Sequence, residues 1–200
     1  MITLLVVNLF PVFGVLYWGW DIFPIMMLYW SENVIIGVFN ILRMLFAMPE
    51  EPEGCLKFFL IPFFAVHYGM FTMVHGFFVV LLFSGGGELL SNGGEPSPAL
   101  LLRTILENRL VFAVLALFLS HGYSFLKNYI GRGEYRRTDS RMLMFRPYGR
   151  VVIMHLTLIF GAFLIFIFDL PLAGLILFIL LKTGIDLAAH HREHTKAFRV

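Results

Sequence analysis

Cysteine is nearly absent: Cys55 stands alone in 200 residues. One thiol cannot close an internal disulfide, and it excludes any zinc or iron–sulfur framework built from cysteines. Charge is scarce as well, at 14% Asp, Glu, Lys and Arg, where soluble domains carry roughly a quarter. The opening segment MITLLVVNLFPVFGVLYWGWD lacks a basic n-region and a small-residue cleavage motif, so it reads as a retained first span and not as a signal peptide. No G-x-S-x-G is present, which argues against a serine-type intramembrane protease. An internal repeat is missing too, and no folded soluble module interleaves aromatic residues with basic ones, so nucleic acid is not an expected partner.

What fills the chain instead is apolar: 59% hydrophobic residues, 23 of them Phe, and a mean hydropathy of +0.83. That balance belongs to an integral membrane protein. A hydrocarbon core about 30 Å thick needs roughly 20 mainly apolar residues per helix. Six stretches qualify, over residues 2–19, 22–46, 57–83, 100–127, 148–168 and 171–190. The expectation is an all-α polytopic membrane protein, one domain over residues 1–200, folded as a compact bundle of six transmembrane helices. Asp169-Leu170-Pro171 would turn the last two into an antiparallel hairpin.

Orientation follows from charge, because cytoplasmic loops are enriched in Lys and Arg. The connection over residues 127–150 carries Lys127, Arg132, Arg136, Arg137, Arg141, Arg146 and Arg150 against Glu134 and Asp139. Placing it inside puts both termini in the cytoplasm and the protein in the inner, or plasma, membrane. By alternation the MPEEPEGCLK connection falls on the same side. Arg43 and Lys57 then read as side chains snorkelling to the inner headgroups. The Gly/Pro-rich segment 84–98 reads as a mobile external loop. The lipid bilayer is the expected partner, with a homo-oligomer or another membrane protein left open.

Polar residues inside the spans are the candidates for function, since each ionised group at the bilayer centre costs roughly 2.5–3.5 kcal/mol. At 1.5 Å per residue, Glu32 and Asn33 fall near the midplane of the second span and His67 near that of the third. His75 belongs to the outer third, His121 to the inner end of the fourth span, and His155 to the cytoplasmic part of the fifth. Lys182, Asp186 and His190 recur every fourth residue and share one stripe of the last span. Arg109 lies in the outer half of the fourth. Glu32 requires a partner at that depth, with Lys182 or a histidine as the candidates.

Imidazole and carboxylate groups at converging depth suit zinc, iron or manganese, so His67, His155, Asp186 and His190 form a candidate metal set. Glu32 would serve as a further ligand or general base, Asn33 as a hydrogen-bond donor and Lys182 as a charged partner, in a metal-dependent enzyme acting on a membrane-embedded substrate. A haem b held by His67 and His155 is a lesser alternative. The same residues could relay protons in a transporter or channel. They could also only join helices, as in a structural or accessory subunit, a bland role that His75 and His121 fit best, while Arg109 is either an entrance group or half of an ion pair. His190-His191-Arg192-Glu193-His194 formally fits H-x-x-E-H but leaves no downstream ligand helix, so it carries no weight.

The segments YWSENVIIGVFNILRM, HYGMFTMVHGFF and LKTGIDLAAHHREH together resemble an uncharacterised family of small multi-pass prokaryotic membrane proteins, a domain of unknown function. The resemblance spans almost the whole chain. It implies six helices and groups Glu32, His67, His75, Lys182, Asp186 and His190 as the family's polar positions, and it supplies no activity.

Overall fold

The computed structural model describes residue 17 and residues 22–48, 55–83, 98–107 and 110–168. Among them every regular element is helical: α1 (Ile22–Phe46), α2 (Leu56–Phe83), α3 (Pro98–Glu107), α4 (Val111–Ser124), α5 (Ser140–Phe145) and α6 (Tyr148–Phe168). The chain continues from α4 through a π-helical turn, Phe125–Ile130, and a 3₁₀ turn, Glu134–Arg136. Four stretches are long and apolar enough to cross a membrane: Phe23–Phe46, Leu56–Phe83, Val111–Ile130 and Ser140–Phe160. The expected sixth span lies outside the described residues, as does the first except for residue 17.

Local chemistry sets several of these boundaries. Pro98 opens α3, where a missing N–H costs nothing. Gly133 leaves the π-helical turn at φ 71°, a left-handed conformation that glycine adopts without a Cβ penalty. Asp139 caps α5, its carboxylate accepting a hydrogen bond from the Met142 amide at 2.6 Å.

Helices α1 and α2 run antiparallel, as their paired residues show. The Trp30 indole N–H donates to the Thr72 carbonyl at 2.7 Å, and the Tyr68 hydroxyl donates to the Asn33 carbonyl at 2.9 Å. Close approach depends on two glycines. A Cβ on Gly37 would sit 2.5 Å from the Tyr68 ring, and one on Gly76 would sit 2.6 Å from the Trp30 ring. Farther along, Lys57 donates to the carbonyls of Leu45 and Ala47 at 2.7 and 2.8 Å. Those carbonyls end α1, so Lys57 caps a helix C-terminus instead of snorkelling to headgroups. Arg43 has a partner within the bundle. Its guanidinium lies 5.9 Å from the Tyr129 ring centroid.

Around this hairpin, α4 runs parallel to α1, as Glu32 meets His121 and Arg43 meets Tyr129. Helix α6 runs parallel to α2, with His67 meeting Tyr148 and His75 meeting His155. Two apolar clusters result, one around Met27, Trp30 and Met154, the other around Phe39, Phe64 and Tyr129. Outward-facing Phe112, Leu119 and Val66 are exposed, as expected of side chains meeting lipid, where burial between helices brings no hydrophobic gain.

The basic connection is where the structure departs most from the sequence reading. Only its first part stays at the end of the bundle, where the Met48 amide donates to the Tyr135 carbonyl at 2.9 Å. That contact puts the α1–α2 connection and the basic segment at the same end. From Ser140 onward the chain turns inward. Leu143 is fully buried and its carbonyl accepts from the Asn40 amide at 2.9 Å, while Tyr148 meets His67. His67 is ten residues beyond Lys57, about 15 Å along α2. Helix α6 therefore starts deep in the bundle, because Pro147 has no N–H to extend α5 and instead seats the first turn of a new helix.

Three placements are corrected, the first two by this deeper start. His155 is level with His75 and lies toward the far end of the bundle, not in the cytoplasmic part of the fifth span. Arg150, counted among loop charges, belongs to the interior. His121 sits at the middle of the apolar stretch Val111–Ile130 and not at its inner end, because the helical path runs past Lys127.

Candidate functional site

Glu32, on α1 between the levels of Trp30 and Ile35, is the anionic centre of the described interior. Arg150 Nη1 donates to its Oε1 at 3.0 Å, and His121 Nε2 lies 3.7 Å from the same oxygen. The three side chains come from α1, α6 and α4. Glu32 is 17% exposed, His121 26% and Arg150 38%, so the carboxylate is the most sheltered member. A guanidinium hydrogen bond to a carboxylate is charge-assisted and short. Within a low-dielectric bundle this pairing offsets the insertion cost that Glu32 would otherwise carry. Among the described residues the partners of Glu32 are thus Arg150 and, beside it, His121. Lys182, one of the expected partners, lies outside the described residues.

Asn33 faces elsewhere, as the 100° step between adjacent helical residues demands. Its side-chain amide donates to Met154 Sδ at 3.5 Å and its carbonyl receives the Tyr68 hydroxyl. It joins α1 to α6 and α2 and is separate from the Glu32 carboxylate.

The histidines form two further pairs. His67 Nδ1 is 2.6 Å from the Tyr148 hydroxyl, with the His67 ring between Phe63 and Phe71. His75 Nε2 is 3.0 Å from His155 Nδ1, one ring nitrogen donating to the other. His75 is buried and His155 exposed. The partner of His155 is thus His75, and the expected axial pair of His67 with His155 does not form, since His67 is engaged with Tyr148. Among the described residues no group of three or more His, Cys, Asp or Glu side chains comes together that could hold a metal ion. Asp186, His190 and Arg109 lie outside the described residues.

Sequence reasoning missed Arg150, Tyr148 and Tyr68 as members of the polar interior. A usable signal was present for the first two: the apolar run Met142-Leu143-Met144-Phe145 precedes Pro147. A membrane stretch that starts at residue 140, broken by a proline, would have carried Tyr148 and Arg150 inside it.

One family model, described as a family of unknown function (DUF6498), matches residues 1–199. The chain belongs to that family. No curated protein and no solved structure matches it. The Glu32 carboxylate is hydrogen-bonded to a guanidinium, and the imidazole 3.7 Å away lies beyond direct hydrogen-bond reach. That carboxylate is poorly suited to a divalent cation, because Arg150 already supplies the positive charge.

Proposed function

We propose that the protein is a six-pass membrane protein that couples proton movement to transport, with Glu32, His121 and Arg150 as the central site. The observation that carries this reading is the 3.0 Å pairing of Glu32 with Arg150 at mid-bundle, with His121 at 3.7 Å. Titratable groups flank it along the bundle axis, His67 with Tyr148 toward the basic end and His75 with His155 toward the other. Intramembrane chains of Asp, Glu and His are the usual material of proton pathways. A helix broken at Pro147, restarting beside the central carboxylate, is also a form that transporters use to build sites at mid-depth. The basic end is assigned to the cytoplasm of the inner membrane, with both termini on that side, by the positive-inside rule.

Proteoliposomes loaded with a pH-sensitive dye test this reading. Under an imposed potential, wild type should acidify or alkalinise the lumen, and Glu32→Gln should reduce the rate about tenfold or more, as loss of an acid–base group does. Flux that is absent, or unchanged in Glu32→Gln, rejects it.

A second reading retains one supporting observation. His75 Nε2 and His155 Nδ1 are 3.0 Å apart, close to the spacing that two imidazole ligands take around a tetrahedral ion with bonds of about 2.0–2.1 Å. Zinc, iron or manganese there, as the centre of a metal-dependent enzyme, would need further ligands at the same depth as the two histidines. Element-resolved metal content of wild type beside His75→Ala and His155→Ala decides it. Metal at one equivalent, lost in both variants, is the result required.

A further inference from the structure

Where the basic connection dips into the bundle, α5 carries Arg141 near its start and Arg146 at its end, and α1 brings Arg43 to the same region. We propose that Arg43 and Arg146 clamp the phosphate of an anionic phospholipid whose acyl chain lies over Met142 and Phe145.

Depth sets the two arginines toward each other. Leu143 is tied to Asn40, six residues before the end of α1 and so about 9 Å inside it, and Tyr148 is tied to His67, about 15 Å along α2 from Lys57. Arg146 stands between those two levels, exposed, in a stretch apolar enough to cross a membrane. An arginine on an outward face at that depth snorkels toward the headgroups. Arg43, nearly one turn beyond Asn40 in the direction of the basic end, lies on that path. The charge of Arg146 does act on Arg43, and it repels.

Neither cation has an anion to answer it. Among the described residues no carboxylate forms an ion pair with either of them. Glu134 attracts Arg43 without pairing with it, and the Asp139 carboxylate is taken by the Met142 amide. Arg43 has the face of Tyr129 beside it, and a ring attracts a cation without cancelling its charge. The Arg43 Nε is sealed and unbonded among the described residues, so the terminal nitrogens, which are not sealed, are the ones that meet a ligand. A phosphate between two arginines replaces their repulsion with charge-assisted hydrogen bonds. Basic pockets between spans bind lipid headgroups in this way.

The surroundings of the arginines select the kind of anion. At 100° per residue the exposed arc of α5 reads Arg141, Phe145, Met142, Arg146, so two cations flank two apolar side chains. Met142 and Phe145 are 58% and 66% exposed, while Ser140 and Leu143 turn inward. A soluble phosphate makes no use of that apolar pair, whereas an acyl chain covers it. A zwitterionic headgroup brings a cation of its own beside the arginines, which favours a lipid with net negative charge.

The test uses the full chain in a nonionic detergent, titrated with phosphatidylglycerol and followed by its unfolding temperature. A saturable rise is expected, with none from phosphatidylcholine at the same concentrations. Arg146→Gln and Arg43→Gln should each weaken the apparent affinity about tenfold, the worth of a charge-assisted contact. Arg132→Gln removes an exposed arginine of the connection outside the clamp and should leave the affinity unchanged. Without lipid, Arg146→Gln should unfold at the wild-type temperature or above it, because the repulsion on Arg43 is gone. An unfolding temperature that phosphatidylglycerol leaves unmoved, or that phosphatidylcholine raises equally, overturns the proposal. So does a loss of affinity in Arg132→Gln as large as in Arg146→Gln, because the attraction then belongs to the whole basic surface. Inorganic phosphate that reproduces the full rise overturns it too, since the clamp then serves a soluble anion.

Discussion

Glu32 meets Arg150 at 3.0 Å inside the bundle, and that contact is measurable as a coupling. Removing either partner strands the other in a poorly solvated place. Hydrogen bonds to charged groups contribute roughly 1.5–3 kcal/mol, and the 38% exposure of Arg150 places this one toward the lower end. Glu32→Gln and Arg150→Met should each destabilise the protein in detergent by about 1.5 kcal/mol. The double variant should lose less than their sum, because no charge is left unpaired. Strict additivity in equilibrium unfolding would mean that the pair does not form. Asn40 makes a second test at this scale. It is 1% exposed and its amide holds the Leu143 carbonyl, so Asn40→Ala should cost about 1–3 kcal/mol, the penalty of a buried carbonyl left bare. Glu32 and the histidines were legible in the sequence because charge in an apolar run is conspicuous. Arg150 was not, since an arginine beside a basic loop looks like every other arginine there.

At the scale of elements, the glycines of the α1–α2 seam separate into two kinds. Gly76 and Gly37 are places where an aromatic ring touches backbone, and Gly69 faces open space. Gly76→Leu should therefore destabilise by about 1–3 kcal/mol through overpacking against Trp30. Gly69→Leu should be neutral or slightly stabilising, since helix propensity favours it. Thermal unfolding of the two variants side by side checks the difference. Pro147 carries the other prediction. Its substitution by Ala restores an N–H and lets α5 and α6 join as one helix, which rotates and lifts Arg150 away from Glu32. The coupling between Glu32 and Arg150 should then vanish when the double-variant comparison is repeated in Pro147→Ala. A coupling that survives would show that the break is held by the packing of Leu143 and not by the proline. None of these glycine roles could be read from spacing alone, because a glycine in a helix looks the same whether it meets a ring or a void.

For the whole molecule, Cys55 is a built-in reporter. It is exposed and precedes Lys57, which caps α1 at the end where Met48 meets the basic segment. With a single thiol in the chain, labelling by a membrane-impermeant maleimide reads one position. The positive-inside assignment predicts no labelling in intact cells and full labelling in inverted membrane vesicles. The reverse pattern would turn the entire bundle over.

Much of this architecture needs no tertiary information. Long apolar runs must be helical in a membrane, since every backbone polar group has to be satisfied within its own segment. Length and hydropathy therefore placed α1, α2 and α6 within a residue or so of their helices. Which polar residues meet was decided only by packing. Partner choice depends on the relative depth of helices, and α6 starts about 15 Å inward along α2. That depth paired His155 with His75, brought Tyr148 to His67, and delivered Arg150 to Glu32. Sequence fixes where a side chain lies along its own helix; its height against a neighbouring helix follows from connections and interlocking side chains that no single segment contains.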